Sequence, residues 1–298
     1  MKQKKIIFKI TIFVILFHFL FYVNIIKSNK TNINSFNLNF SYQNYERDII
    51  TKRIKLNAGW ELSGEQPYFI NGIIRKIKPK KCLEIGVSRG GSSILILNAI
   101  KDIKNAFLIS LDINNKYYRN QTLDIGYKVN EFPELKKKWK LYSGEQPHKF
   151  LEKLNQKFDF LYLDTSHSFP GEIINIIETF PFLEDKAVVI IHDIVYHFSK
   201  TKNFHPSNIY LFSVLVGEKV FIKKKKYGID NIGAVFLKSK QINYYINYFI
   251  LLLSPWQYIP NNKYINELQI FISKYYKKNI YLYLFNKALE LNKILINK

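Results

Sequence analysis

A glycine-rich turn between a buried strand and a helix is the feature that most constrains the fold of this chain. Residues 82–93 read Cys-Leu-Glu-Ile-Gly-Val-Ser-Arg-Gly-Gly-Ser-Ser. Glycine permits positive φ angles and close approach of a ligand, and a helix N-terminus favours anionic groups. The spacing Glu-x-Gly-x-x-x-Gly-Gly differs from the Gly-x-Gly-x-x-Gly of dinucleotide-binding folds and from a phosphate loop. The turn therefore predicts a nucleotide-like ligand that lacks a pyrophosphate.

Short runs rich in Ile, Leu and Val alternate with helix-like segments beyond residue 57, which is typical of a parallel sheet flanked by helices. The predicted strands are residues 81–86, 106–112, 139–142, 158–164 and 187–192, and the predicted helices are 92–103, 146–154, 170–180 and 207–216. Two further strands, 219–223 and 232–237, have no helix between them, which predicts an antiparallel pair at the end of the sheet. The fold class is therefore α/β, with a doubly wound sheet.

The N-terminus is basic and then apolar. Lys2, Lys4 and Lys5 precede an apolar stretch over residues 6–26, which is long enough to cross a bilayer as a helix at about 1.5 Å per residue. A cleaved signal peptide is the alternative, but its apolar region is usually shorter, about 7–15 residues, and no small-x-small cleavage site follows. We predict a basic flank and single-pass transmembrane anchor over residues 1–26. The balance of lysines favours a position outside the cytosol for the domain that follows the anchor.

Three further segments follow the predicted anchor. Residues 27–57 are polar and rich in Asn, which predicts a stem. Residues 58–240 form the predicted α/β domain, and residues 241–298 form a helical extension. The extension could cap a substrate site, form a dimer face or lie on a membrane, and the sequence leaves these alternatives open.

The net charge of +22 raises nucleic acid as a partner, but the kind of basic residue argues against it. Five of the 45 basic residues are arginine, whose planar fork reads phosphates and bases better than lysine does. Excess lysine with abundant Ile, Asn, Tyr and Phe is what an A/T-rich genome produces. Cys82 is the single cysteine, which excludes an internal disulfide or a zinc site with several thiolates.

A second acidic residue supports the ligand that the glycine turn predicts. Asp112 ends the strand that follows the turn. A carboxylate in that position can accept hydrogen bonds from both hydroxyls of a ribose. Together with Glu84 and Gly86, it predicts an adenosine-type cofactor.

On these residues the chain resembles the class I S-adenosylmethionine-dependent methyltransferases, over about residues 64–237. The resemblance implies S-adenosyl-L-methionine as cofactor and a Rossmann-like sheet of seven strands with a terminal antiparallel hairpin. It also implies a set of cofactor-binding residues, which are Glu84, Gly86, Ser88, Gly90, Gly91, the ribose acid Asp112, and Gly144 and Glu145 where the third strand meets adenine.

Four titratable side chains follow two neighbouring predicted strands. Asp164 and His167 follow one strand, and His192 and Asp193 end the next. Such strand ends open onto one crevice, where oxygen and imidazole ligands could hold a divalent ion that polarises a hydroxyl. The alternative is that His167 caps the following helix and Asp193 bonds to the sheet edge.

The spacing Asp164-x-x-His167 is similar to that of metal-dependent sugar O-methyltransferases. This resemblance implies that Asp164 and Asp193 bind a metal such as Mg²⁺ and that His167 is the catalytic base. His192 stands where those enzymes carry an acid, so we predict it as a metal ligand, although imidazole favours softer ions than Mg²⁺.

These observations predict a membrane-anchored methyltransferase that acts on a hydroxyl of a sugar, glycan or other small metabolite. One alternative is a nucleic-acid methyltransferase, which the scarcity of arginine disfavours. The other is a membrane-tethered scaffold that binds the cofactor without catalysis, and His192 in place of an acid favours it.

Overall fold

The computed structural model describes residue 62 and residues 64–195, 207–222 and 230–296. The predicted anchor and stem, and the lysine run at 223–226, lie outside the described residues. Within these residues the strands are β1 (Lys81–Ile85), β2 (Phe107–Asp112), β3 (Lys116–Tyr117), β4 (Asn120–Asp124), β5 (Trp139–Ser143), β6 (Phe158–Leu163), β7 (Leu183–His192), β8 (Gly217–Phe221) and β9 (Ile232–Leu237). No described helix has the length and apolar character needed to cross a membrane.

Seven of these strands form one sheet in the order β5-β2-β1-β6-β7-β9-β8. The first five strands of that order pair in parallel, whereas β9 runs antiparallel to both β7 and β8. The predicted seven strands and terminal antiparallel hairpin are therefore confirmed. The small antiparallel pair β3 and β4 was not predicted, because its exposed residues lack an apolar pattern.

Helices cover both faces of the sheet. They are α1 (Gln66–Ile77), α2 (Gly91–Ile100), α3 (Pro133–Lys136), α4 (Pro147–Leu154), α5 (Gly171–Thr179), α6 (Ser207–Val214), α7 (Tyr245–Leu251), α8 (Asn262–Tyr275) and α9 (Asn279–Ile296). Helix α4 begins at a proline, which is suited to a first turn because its missing N–H has no intrahelical partner there.

The core is divided by the sheet into two layers. Side chains alternate along a strand, so Leu83 and Ile85 of β1 join one apolar cluster while Cys82 joins the other. Both strand faces are buried, as expected for a parallel sheet between helices. The carboxyl ends of these strands therefore open at one edge of the sheet, where a ligand site is expected.

The C-terminal extension belongs to the first of these layers. Phe249 of α7, Phe271 of α8 and Phe285 of α9 are buried in the same cluster as Leu161 of β6. Tyr276 adds a hydrogen bond from its hydroxyl to the carbonyl of Ile177 in α5, at 2.6 Å. The extension is thus packed onto the catalytic domain through α5, the helix that follows β6.

Candidate active site

The glycine turn brings the ends of β1 and β6 together. Gly86 has φ of +88°, and a Cβ placed on it would lie 1.7 Å from the carbonyl oxygen of Asp164. Its N–H donates to the carbonyl of Leu111 at 2.9 Å, which fixes the turn against β2. A side chain at this position would push the strand ends apart, so glycine is required by both conformation and space.

Glu84 lies beneath the turn instead of on the wall of the cleft. Its carboxylate is fully buried and accepts hydrogen bonds from the hydroxyls of Ser92, Ser93 and Ser110, each at 2.6 Å. Burial raises the pKa of Glu84 to about 7, although the three serine hydroxyls oppose that rise. The structure therefore gives Glu84 the role of tying α2 and β2 to β1, which holds the turn from below.

Asp112 lines the cleft at the end of β2. Its Oδ2 accepts hydrogen bonds from the backbone N–H groups of Val87 at 3.0 Å and Ser88 at 3.4 Å, and its Oδ1 accepts one from Asn114 N–H at 2.9 Å. The carboxylate thus orients the glycine turn while facing the space that the turn encloses.

The predicted cofactor residues divide into two groups. Gly86, Ser88, Gly91 and Asp112 line the cleft, whereas Glu84, Gly90, Gly144 and Glu145 do not. Beyond β5 the lining residues are instead Gln146 and Pro147, at the start of α4. A proline that begins a helix right after a strand end is the signal that could have placed them.

The predicted catalytic residues converge at the ends of β6 and β7. These strands pair with Leu163 opposite Ile191, so Asp164 and His192 lie side by side. His167 Nε2 is 3.0 Å from Asp193 Oδ2 and 3.8 Å from Asp164 Oδ1. Both His167 and Asp193 have positive φ angles, of 54° and 57°.

Three of the four side chains could hold a cation. One ligand atom each from Asp164, His167 and Asp193 lies within 4.8 Å of the others. Two carboxylates and an imidazole are a donor set that fits a divalent ion. His192, which the sequence predicted as a ligand, lies outside this group, so His167 is the histidine that stands beside the two carboxylates.

His192 supplies positive charge to the cluster. Its Nδ1 is 3.2 Å from Asp164 Oδ2 and 3.5 Å from Asp193 Oδ1. Burial alone would lower the pKa of His192, but the charges of Asp193 and Asp164 outweigh it and raise that pKa to about 9. Burial likewise opposes ionisation of Asp164, yet the neighbouring His192 and His167 hold the pKa of Asp164 below its ordinary value.

His167 is held between two carboxyl groups. Its backbone N–H donates to Glu172 Oε1, and Glu172 is fully buried at the start of α5. The ring Nδ1 faces that same oxygen at 3.8 Å, while Nε2 faces Asp193. The two ring nitrogens therefore face different carboxyl groups, Nδ1 that of Glu172 and Nε2 that of Asp193. Glu172 was missed by sequence reasoning, because an acid in a helical first turn is common.

The cleft also contains residues from distant parts of the chain. Tyr118 and Arg119 come from the turn between β3 and β4, Asp230 and Asn231 precede β9, and Tyr258, Ile259, Pro260, Asn261 and Tyr264 come from the C-terminal extension. The cleft has a volume of about 1130 Å³, which is room for a nucleoside-sized cofactor together with a second small molecule. No sequence signal connects these segments to the site.

Comparisons with known proteins agree with this architecture. Residues 83–194 match the family described as methyltransferase domain. The range begins in β1 and ends just after Asp193, so it contains both the glycine turn and the titratable cluster. No curated protein matches the chain.

Several solved structures are similar to parts of the chain. The O-methyltransferase TomG of Streptomyces achromogenes, solved with its cofactor, is 16% identical, with a TM-score of 0.47 over 65% of this chain and 89% of its own. An O-methyltransferase of Bacillus cereus is 16% identical, with a TM-score of 0.48 over 66% and 93%. A putative caffeoyl-CoA O-methyltransferase of Staphylococcus aureus is 17% identical, with a TM-score of 0.47 over 73% and 98%.

Proposed function

We propose that the chain, whose residues 83–194 match a methyltransferase domain, is a class I S-adenosylmethionine-dependent methyltransferase. We propose further that it methylates a hydroxyl group of a small molecule, such as a sugar, with help from a divalent ion. The observation that carries the proposal is the shape of the cleft. The glycine turn and Asp112 form one part of its wall, and Asp164, His167 and Asp193 form another. A methyl donor and a hydroxyl acceptor can therefore meet between them.

The glycine turn and Asp112 supply the cofactor side. S-adenosylmethionine, when bound, supplies the methyl group on a positively charged sulfur. Asp112 offers carboxylate oxygens to the ribose hydroxyls, and the turn lets the backbone approach closely. Because the methyl transfer is an in-line displacement, the main contribution of these residues is to hold the two reactants in line.

His167 is proposed as the base that takes the proton of the acceptor hydroxyl at Nε2. An alcohol is a weak nucleophile, and removing its proton as the oxygen–carbon bond forms keeps the product neutral. Asp164 and Asp193 would hold a divalent ion, which when present lowers the pKa of a hydroxyl bound to it. Glu172 accepts the backbone N–H of His167 and so holds the loop that carries the ring.

Calorimetry with S-adenosylhomocysteine tests the cofactor side. Asp112→Asn keeps the shape of the side chain but removes its charge, so affinity should fall about tenfold. Lys116, which is exposed on β3, gives a control in Lys116→Gln, where affinity should not change. Equal affinity of Asp112→Asn and the parent would contradict the ribose assignment.

A chelator tests whether turnover requires a divalent ion. Cofactor turnover with free glycans as acceptors should fall in a chelator and return when a divalent ion is added. Turnover that continues in the chelator would contradict a role for the ion and leave His167 as the only proposed catalytic group. Cofactor binding without turnover in any condition would favour the non-catalytic scaffold over the enzyme.

Membrane attachment through residues 6–26 is proposed from the length and apolar character of that stretch. The full-length chain should stay with the membrane pellet after a carbonate wash, and its N-terminal sequence should begin at or near Met1. A mature N-terminus after Ser28 would identify a cleaved signal peptide instead.

A further inference from the structure

The C-terminal extension contributes a wall of the cleft beside the titratable cluster. Residues 257–264, here called the acceptor wall, run from the α7–α8 connection into the first turn of α8 and place Tyr258, Asn261 and Tyr264 among the lining residues. The sequence left open whether the extension caps a substrate site, and the described residues place part of it there.

The acceptor wall is fastened to the loop that carries the catalytic residues. Gln257 Oε1 accepts a hydrogen bond from Phe169 N–H at 2.8 Å, and Gln257 N–H donates to the Phe169 carbonyl at 2.9 Å. The hydroxyls of Tyr258 and Ser166 both lie within 3.2 Å of the place that a Cβ on Gly171 would occupy, and Ser166 stands between Asp164 and His167 in the chain. Tyr258 is therefore next to the loop where the acceptor hydroxyl has to react.

A second tyrosine fixes the far end of the wall. The Tyr264 hydroxyl donates to the buried Glu178 at 3.0 Å, and its ring stacks on His148 with 6.0 Å between centroids. The Tyr264 ring is thus held on the side of α4 and α5. Tyr258 keeps 39% of its surface exposed, so its ring is available to a ligand.

The charges near the cluster limit what this side of the cleft can accept. Among the described lining residues, the two arginines are Arg89 in the glycine turn and Arg119 at the β3–β4 turn, both on the cofactor side. Around the cluster lie Asp164, Asp193 and Asp230, and His192 is already shared between the first two. No described lysine or arginine on this side is placed to bind a phosphate or carboxylate group.

We propose that Tyr258 of the C-terminal extension binds the acceptor, and that the acceptor is an uncharged hydroxyl compound with a ring or apolar face that rests on the tyrosine ring. Aromatic side chains offer large apolar area with a polar tip, which suits such compounds. The inference rests on the proposed function, because it assigns the substrate class of the same site. It predicts that sugar phosphates and coenzyme A esters do not bind as acceptors.

The test uses the full-length chain saturated with S-adenosylhomocysteine and measures ligand binding by saturation-transfer NMR. The neutral probes are catechol and methyl α-mannopyranoside, and the anionic probes are mannose 6-phosphate and acetyl coenzyme A. At least one neutral probe should bind and neither anionic probe should. Tyr258→Ala and Tyr258→Leu should weaken the neutral probe at least about fivefold, whereas Tyr258→Phe, which keeps the ring, should bind it as the parent does.

Tyr283 supplies the matched control, because it lies on α9 of the same extension with 56% of its surface exposed. Tyr283→Ala should leave binding of every probe unchanged. Binding of an anionic probe, failure of both neutral probes, or full binding by Tyr258→Leu would overturn the proposal. Failure of S-adenosylhomocysteine to bind the parent chain would instead count against the proposed function, so the two failures are distinguishable.

Discussion

The cleft has a cofactor half, formed by the glycine turn and Asp112, and a catalytic half, formed by Asp164, His167 and Asp193. The contacts that build the two halves differ in how far apart their residues lie in the sequence. In the cofactor half, the contact that joins Asp112 to the glycine turn spans 25 residues, and its donors are backbone N–H groups. In the catalytic half, Gln257 contacts Phe169 across 88 residues, and His192 lies 3.3 Å from Gln66 across 126 residues. The first half is therefore local in sequence, and the second is assembled by the tertiary fold.

The two halves also differ in how they use charge. The cofactor half buries one carboxyl group, Glu84, and surrounds it with neutral serine hydroxyls. The catalytic half places two histidines among the carboxylates of Asp164 and Asp193. Substitutions in the first half should therefore affect folding and cofactor binding, and those in the second should affect turnover.

The largest effect that separates the halves is expected for His167. His167→Asn should lower turnover by about 10²–10⁴-fold, because a base that takes the hydroxyl proton contributes on that scale. Asparagine tolerates the φ of 54° at this position, so the backbone should hold. Steady-state rates measure the effect, and calorimetry should find affinity for S-adenosylhomocysteine unchanged. Full turnover in this variant would return His167 to a purely structural role.

The next effect concerns a close contact between the two halves. Gly86→Ala should lower the free energy of unfolding by about 2–4 kcal/mol, because its Cβ would collide with the Asp164 carbonyl and its φ is positive. Gly64 is the control, since it has φ of +57° but no atom lies within 4 Å of the place that a Cβ would occupy there. Gly64→Ala should cost about 1 kcal/mol in urea unfolding. Similar losses in both variants would mean that conformation, not contact with β6, requires Gly86.

This difference in sequence separation explains which parts of the site the sequence could predict. Gly86, Ser88, Gly91 and Asp112 line the cleft, and their grouping could be predicted because a strand, a turn and a helix follow each other directly. Asp164 and Asp193 were brought together by the general geometry of adjacent parallel strands.

Other features of the site had no local signal. Glu84 was assigned to the ligand because an acid before a glycine turn looks the same whether it faces the cleft or the core. The contacts of Tyr258 and Gln257 depend on how α7 to α9 pack on the rest of the domain. The apolar periodicity of this segment predicts that it is helical, but not where the helices pack. The β3–β4 pair is short and exposed, so no burial pattern marks it.

A pH titration sharpens the electrostatic side of the comparison. The folded pKa of Glu84 is about 7, above its ordinary value of 4.5, so the folded state binds the proton more tightly than the unfolded state does. The contribution of Glu84 to the free energy of unfolding is therefore greatest at low pH. It falls as the pH rises from the pKa of Glu84 in the unfolded state to its pKa in the folded state. The loss between about pH 5.5 and about pH 7.5 should be about 2 kcal/mol.

Urea unfolding of the parent and of Glu84→Gln at these two pH values isolates that contribution. The variant does not titrate at this position, so its stability should fall less than that of the parent by about the same 2 kcal/mol. An identical pH dependence of the two proteins would show that Glu84 is ionised throughout, with the three serine hydroxyls compensating for its burial.

The smallest effect concerns the link between the acceptor wall and the catalytic loop. Gln257→Leu removes the acceptor of the Phe169 N–H, and Phe169 is buried, so the change should cost about 1 kcal/mol or somewhat more. Because that loop carries His167, kcat should fall about fivefold while cofactor affinity stays the same. Gln257→Glu keeps an oxygen in place to accept the bond and should restore kcat, which a general loss of packing would not allow. If Gln257→Leu lowers stability without changing kcat, the extension supports the fold alone, and the catalytic half would then hold its loop through Glu172 and Asp193.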